Sequence, residues 1–352
     1  MTRPVRLLIV DDSATIRRLI RLRLSADPRI EVVGEAADAA EAEMLIARLR
    51  PDVLTLDVEM PGKSGLQFLA ELMVSNPLPV VMLSSETQRG SAAAIEALSL
   101  GAVECLGKPQ GLGGTEGFAE LPGMIRAAAQ ARVGTSRRQA GTGAAASRFE
   151  WNGRIVLVGS STGGVEALEL LLSQMPENCP PILITQHMPE SFLASFVQRL
   201  NARFAPRITL AGPRDVIEQG RVYIAPGGET HLGMAGPVAR PRCDLIVGEK
   251  VSNHRPSVDV MFGSARSYAA NCVAVMLTGM GHDGAAAMVD LRRAGALCLA
   301  QDQASSVVWG MPRAAYEQGG VDRLIALDRM AAEILEVTGK GAARSGYMGR
   351  AS

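Results

Sequence analysis

Two sets of side chains in this sequence have the types and settings that chemistry needs. The first is Ser161 in VGSSTGG, His187 in ITQHMP and Asp283 in LTGMGHDGA, each just beyond a short apolar run. A hydroxyl becomes a nucleophile when a base takes its proton, and that base needs a carboxylate to fix its tautomer and stabilise the imidazolium. Serine, histidine and aspartate supply those three roles. The second set is Asp11, Asp12 and Asp57, with Ser84 and Lys108 beside them. Three carboxylates in one pocket are costly unless a cation neutralises them, and hard oxygen ligands of this kind suit magnesium, so a divalent ion is implied.

Simpler readings compete with both. A strand-end aspartate can be no more than the cap of the following helix, which explains any one of the acids but not five positions together. The turn Gly159 to Gly164 opens a helix, and such turns also cradle phosphate, so that segment alone supports nucleotide binding as well as hydroxyl chemistry. No acidic ribose contact follows about 20 residues on, which counts against the nucleotide. Gly62, Lys63 and Ser64 imitate the end of a P-loop, but its first glycine would fall on Asp57. Four histidines are present. His231 lies among polar and small residues and His254 in SNHRPS, which predicts surface or loop side chains for both. His282 is the competitor of His187, but it adjoins Asp283 on the acid's own loop, and adjacent side chains point apart.

The elements that must position these groups follow from the apolar runs. Leu7 to Val10, Ile30 to Val33, Val53 to Leu56, Pro79 to Leu83 and Ala102 to Leu106 read as strands, alternating with helical patterns such as Ile16, Leu19, Ile20, Leu24 and Ala40 to Leu49. This half is a doubly wound parallel sheet, and ligands bind beyond the carboxyl ends of such strands, where the acids converge. The alternation resumes with Arg154 to Val158, the helix marked by Val165, Leu168, Leu171, Leu172 and Met175, Pro181 to Thr185, and the helix Ser191 to Phe204. Val222 to Ala225, Leu245 to Val247 and Cys272 to Leu277 are further strands. Ser161, His187 and Asp283 then share one edge, provided their strands are neighbours. The helix after Ser161 and loop amides near Met280 could donate to a tetrahedral oxyanion, which is acyl-transfer machinery. The order Ser, His, Asp and the absence of Gly-x-Ser-x-Gly argue against an ordinary α/β-hydrolase.

Composition narrows the setting. The 352 residues suffice for two domains, and 36 basic residues balance 36 acidic ones, so nothing pulls the chain onto nucleic acid. Cys105, Cys179, Cys243, Cys272 and Cys298 form no Cys-x-x-Cys pair, which fits reducing cytoplasm better than a disulfide framework or structural zinc. No apolar stretch reaches spanning length, so the expectation is a soluble protein without membrane insertion.

IVDDS, LDVEMPGKSG, LSS and KP resemble the receiver domain of bacterial response regulators. That resemblance implies a flavodoxin-like fold in which Asp57 accepts a phosphoryl group from a chemotaxis histidine kinase, Asp11, Asp12 and Asp57 hold magnesium, and Ser84 and Lys108 relay the switch. VGSSTGG, ITQHMP, IAPGG, NHRPSVDVMF, LTGMGHDGA and VVWGMP resemble the catalytic domain of the chemotaxis protein-glutamate methylesterase (CheB) family. By matching positions, Ser161 would be nucleophile, His187 base and Asp283 orienting acid. Thr162 would shape the site, and the Met280 backbone would bind the oxyanion, with no cofactor there. The layout implied is a receiver over residues 1–132, a flexible linker over 133–150, a doubly wound, mainly parallel catalytic domain over 151–340, and a disordered tail over 341–352. The activity implied is phosphorylation-activated removal of methyl esters from receptor glutamates and deamidation of receptor glutamines. A receiver-gated nucleotide-binding or adaptor protein is the alternative.

Overall fold

The computed structural model describes residues 3–84, 88–108, 118–133 and 149–341. Residues 134–148 of the linker expected over 133–150, the expected tail beyond 341, and Ser85 and Pro109 lie outside the described residues.

The first half runs β1 (Val5–Val10), α1 (Ala14–Leu24), β2 (Ile30–Ala36), α2 (Ala39–Leu49), β3 (Val53–Asp57), α3 (Gly65–Ser75), β4 (Val80–Ser84), α4 (Gln88–Ser99), β5 (Glu104–Gly107) and α5 (Leu121–Ala128). Its strands pair in parallel in the order β2-β1-β3-β4-β5, the flavodoxin-like doubly wound order. Leu7 to Val10 and Val80 to Leu83 are fully buried, as a sheet covered on both faces requires, and this is why they read as unbroken apolar runs. Helix starts are set locally. Ser13 and Asp38 accept from the amides of Ile16 and Glu41, and Ser64 with Gln67 forms a capping box. The last strand begins at Glu104, two residues later than the apolar run from Ala102 suggests.

The second half runs β6 (Ile155–Ser160), α6 (Gly164–Ser173), β7 (Ile182–Gln186), α7 (Glu190–Arg203), β8 (Arg207–Leu210), β9 (Arg221–Ile224), β10 (Thr230–Ala235), β11 (Arg242–Val247), α8 (Val258–Ser264), β12 (Cys272–Met276), α9 (Ala285–Arg293), β13 (Leu297–Gln301), α10 (Met311–Glu317), β14 (Arg323–Ile325) and α11 (Leu327–Thr338). Seven strands form a parallel sheet in the order β14-β13-β12-β6-β7-β9-β8. The expected fold class therefore holds in both halves. The strand read at Leu245 to Val247 is the end of β11, which pairs antiparallel with β10 in a hairpin outside the main sheet. His231 and Gly233 interrupt β10, and they hide it from an apolar-run reading.

The halves meet through α4, which packs on α6 and α7. Leu98, Leu168, Leu171, Leu172 and Phe196 belong to one buried apolar cluster, each worth about 1.5–3 kcal/mol of burial. Polar contacts add to it: Ser99 Oγ donates to Glu169 Oε1 at 2.8 Å, and the Arg132 amide donates to the Val307 carbonyl at 3.2 Å.

Candidate active site

Strands β12, β6 and β7 are adjacent, so the condition for bringing Ser161, His187 and Asp283 together is met. The ladder continues one step past the strands. The Leu277 amide donates to the Gly159 carbonyl at 2.9 Å, that of Ser161 to Thr278 at 3.0 Å, and that of His187 to Ser160 at 3.0 Å. Close approach requires Gly279, where a Cβ would meet Ser161 Cβ at 2.8 Å and Met311 Sδ at 2.4 Å.

His187 Nε2 donates to Asp283 Oδ2 at 2.8 Å, and the His187 side chain is only 5% exposed. Its Nδ1 is buried and has no hydrogen-bond partner among the described residues. Asp283 is buried, and both its oxygens are engaged. Oδ1 accepts from Ser257 Oγ at 2.8 Å and the Asp259 amide at 3.2 Å, and Oδ2 accepts from the Val258 amide at 2.6 Å as well as from His187. Burial alone would raise this carboxyl. The His187, Ser257 and Val258 hydrogen bonds outweigh it and hold Asp283 below the usual carboxylate range. An ionised acid locked on one ring nitrogen leaves the other nitrogen to take a proton.

The competitors separate clearly. Ser160 is fully buried, and its Oγ donates to Gln186 Oε1 at 2.7 Å. His282 is exposed. Thr162 Oγ1 donates to Glu104 Oε2 of the first half at 2.7 Å, so the hydroxyl beside Ser161 is held by the partner unit. Met280 is 38% exposed, on the loop that Gly279 anchors to Val308. One cavity at the junction is lined by Ser161, Gln186, Thr278, Glu104 and Val307.

One expectation needs correction. His231 is buried, with Nδ1 accepting from the Ser257 amide at 3.0 Å and Nε2 donating to the Glu249 carbonyl at 2.9 Å. His254 lies face to face with His187, ring centroids 3.6 Å apart and planes within 9°. Polar neighbours in sequence made His231 look superficial, whereas His254 lies in a loop as expected and is part-buried. The available signal was Ser257, an N-cap followed by Asp259, which marks a helix start beside the acid.

In the first half, carboxylate oxygens of Asp11, Asp12 and Asp57 lie within 4.8 Å of one another at the β1–β3 edge. Asp11 and Asp57 are buried, while Asp12 is exposed. Lys108 Nζ stands 2.9 Å from Asp11 Oδ2 and 2.7 Å from Asp57 Oδ2, and Ser84 is buried at the end of neighbouring β4. Burial pushes Asp57 up to about 6, with Lys108 pulling it down and the Asp11 charge pushing it up. Converging hard oxygens and a resident ammonium suit a divalent cation together with an anion.

Fold and sites thus define a two-part α/β protein: a unit with an acidic pocket at its β1–β3 edge packed onto a second unit whose adjacent strands lead to Ser161 and to the hydrogen-bonded His187–Asp283 pair. Residues 7–113 match the response regulator receiver domain, and residues 156–334 match CheB methylesterase. The chain belongs to the CheB methylesterase family. It is 49% identical to protein-glutamate methylesterase/protein-glutamine glutaminase 1 of Caulobacter vibrioides over 95% of this chain and 98% of that one. Against the protein of the same name in Rhizobium johnstonii the identity is 47%, over 96% and 98%. Among solved structures, the Thermotoga maritima CheB methylesterase catalytic domain is similar at 34% identity and a TM-score of 0.51, covering 53% of this chain and 98% of that one.

Proposed function

We propose that Ser161, His187 and Asp283 carry the family's reaction as nucleophile, base and orienting acid. The chain is a phosphorylation-activated protein-glutamate methylesterase and protein-glutamine glutaminase. The observation that carries the residue assignment is the His187–Asp283 pair, whose geometry leaves Nδ1 buried and unspent beside the serine strand. Ser161 Oγ attacks the ester carbonyl of a glutamate side chain as its proton passes to His187 Nδ1. The C–O bond to the methoxy group then breaks, and the same proton leaves with methanol. Water, deprotonated by His187, attacks the acyl-serine, frees the glutamate and returns the proton to Ser161. A glutamine amide follows the same path with ammonia leaving. The Met280 backbone and the start of α6 supply donors for the oxyanion, and Thr162 shapes the site.

The substrates are chemoreceptor helices, and the phosphodonor is a chemotaxis histidine kinase. Asp57 accepts the phosphoryl group. Asp11, Asp12 and Asp57 would hold magnesium, which when bound neutralises the charge gathered there, and Ser84 and Lys108 answer the modified acid. The receiver spans residues 1–132 and the catalytic unit 151–340. The setting is cytoplasmic, and no helix among the described residues is long and apolar enough to cross a membrane. Control by coverage is supported by the Glu104–Thr162 contact beside the nucleophile and by the packing of α4 on α6 and α7.

Methanol release from methylated receptor membranes tests this reading. The full chain should release methanol slowly alone and faster with a small phosphodonor and magnesium. No release under either condition would remove the esterase assignment, and equal release would remove the control.

A further inference from the structure

Two further histidines, buried His231 and part-buried His254, take no part in the steps above, and one segment, residues 249–257, connects them to the site. His231 donates to the Glu249 carbonyl from Nε2 and accepts from the Ser257 amide at Nδ1, so it ties the segment's two ends together. Between them the chain reverses tightly. The Val251 amide donates to the His254 carbonyl at 3.0 Å, and the His254 amide to Val251 at 2.8 Å. The two residues inside that turn, Ser252 at φ 52° and Asn253 at φ 65°, are both left-handed, as in a type I′ turn. Asparagine tolerates this conformation, but serine is held there at a cost of about 1–2 kcal/mol. Such strain persists where the surroundings demand the geometry. Here the geometry lays the His254 ring flat on His187 at 3.6 Å, while Ser257, three residues on, donates to Asp283 at 2.8 Å. One segment therefore touches both the base and the acid.

We propose that His254 is a positioning residue whose flat face fixes the plane of His187, keeping Nε2 on Asp283 and Nδ1 toward Ser161. This rests on His187 being the base. The need is physical: an imidazole held by one edge hydrogen bond can tilt about it, and a displacement of about 1 Å at a reacting group costs about 100-fold in rate. A stacked ring blocks that tilt without competing for either nitrogen. The facing ring also stays uncharged. Burial first, then the His187 charge, lower His254 to about 4, with Asp283 opposing them and Lys250 and His282 adding to the lowering. An imidazolium forming on His187 thus meets a neutral ring.

The test uses the full chain, activated with a small phosphodonor and magnesium, on a methylated receptor substrate. His254→Ala should lower kcat about 10- to 100-fold and leave KM within about twofold, and His254→Phe, which keeps a flat face, should recover kcat to within about threefold of the parent. A thermal melt checks that each variant is folded. If His254→Ala does not fold, His254→Leu, bulky but not flat, should show the same kcat loss beside the rescued His254→Phe. Parent-like kcat in the Ala or Leu variant, a change confined to KM, or a Phe variant as slow as Ala would each overturn the positioning role. An active His187→Gln beside an inactive His254→Ala would instead overturn the base assignment itself.

Discussion

Asp57 and Asp283 are the same residue at the same kind of edge, buried at the carboxyl end of a parallel strand or in the loop that follows one, yet their proton affinities move in opposite directions. Desolvation raises both. Asp283 collects four donors, from His187, Ser257, Val258 and Asp259, and falls below the ordinary carboxylate range. Asp57 has the Glu59 amide at 3.2 Å and the Lys108 ammonium at 2.7 Å, faces the Asp11 charge, and stays at about 6. The difference matches the roles proposed for the two acids. An orienting acid must not take up a proton during turnover, so it is saturated with donors. A phosphoacceptor is left with bonding capacity for an incoming cation and phosphoryl group.

The largest effect should come from removing the nucleophile that the saturated acid serves. Ser161→Ala should cut methanol release by about 1,000-fold or more with an unchanged melting curve. Ser160→Ala removes the bond to Gln186 Oε1, so it should cost about 1 kcal/mol of stability and little rate. A dead Ser160→Ala beside an active Ser161→Ala would reverse the assignment. Asp283→Asn follows, with an expected loss of about 100- to 10,000-fold, because the amide leaves His187 in the wrong tautomer. The same exchange at Asp57 should behave oppositely. Asp57→Asn should keep the unphosphorylated rate and ignore phosphodonor with magnesium, and a response that survives in this variant would break the comparison. Rates with and without phosphodonor for the two asparagine variants decide it.

Both acids were visible in the sequence because each lies at or shortly after a mainly apolar run, and strand ends are where parallel sheets put function. Ser161, His187 and Asp283 were singled out as candidates in the same way. Their gathering depends on β12 lying beside β6, a pairing between segments more than 100 residues apart in sequence that no local pattern encodes. The hairpin β10–β11 was half hidden because buried His231 and Gly233 interrupt the apolar run of β10. His254 and Glu104 were illegible for a related reason. The first acts through a ring stack and the second through a contact between the two halves, and each looks like an ordinary surface residue until the fold is closed.

Glu104 gives the smallest and most discriminating test of how the two regions talk. Burial at the junction pushes its carboxyl up to about 7, the Thr162 hydroxyl and Cys105 amide pull it back, and the Glu120 charge pushes it up again. In an opened arrangement the group returns toward its ordinary value of 4.5. The closed form therefore binds more protons between those two values. Its extra stability is fully present below 4.5, declines as pH rises, and is gone above about 7. The unphosphorylated rate, taken as a ratio to the phosphorylated rate at each pH so that titration of the catalytic groups cancels, should climb about three- to tenfold from pH about 5.5 to about 7.5. Glu104→Gln is uncharged throughout and keeps a partner for Thr162, so its ratio should stay flat and near the parent's low-pH value. A Glu104→Gln protein with the parent's slope would place the responsive proton on another group. A flat parent ratio would mean that closure does not depend on this carboxyl.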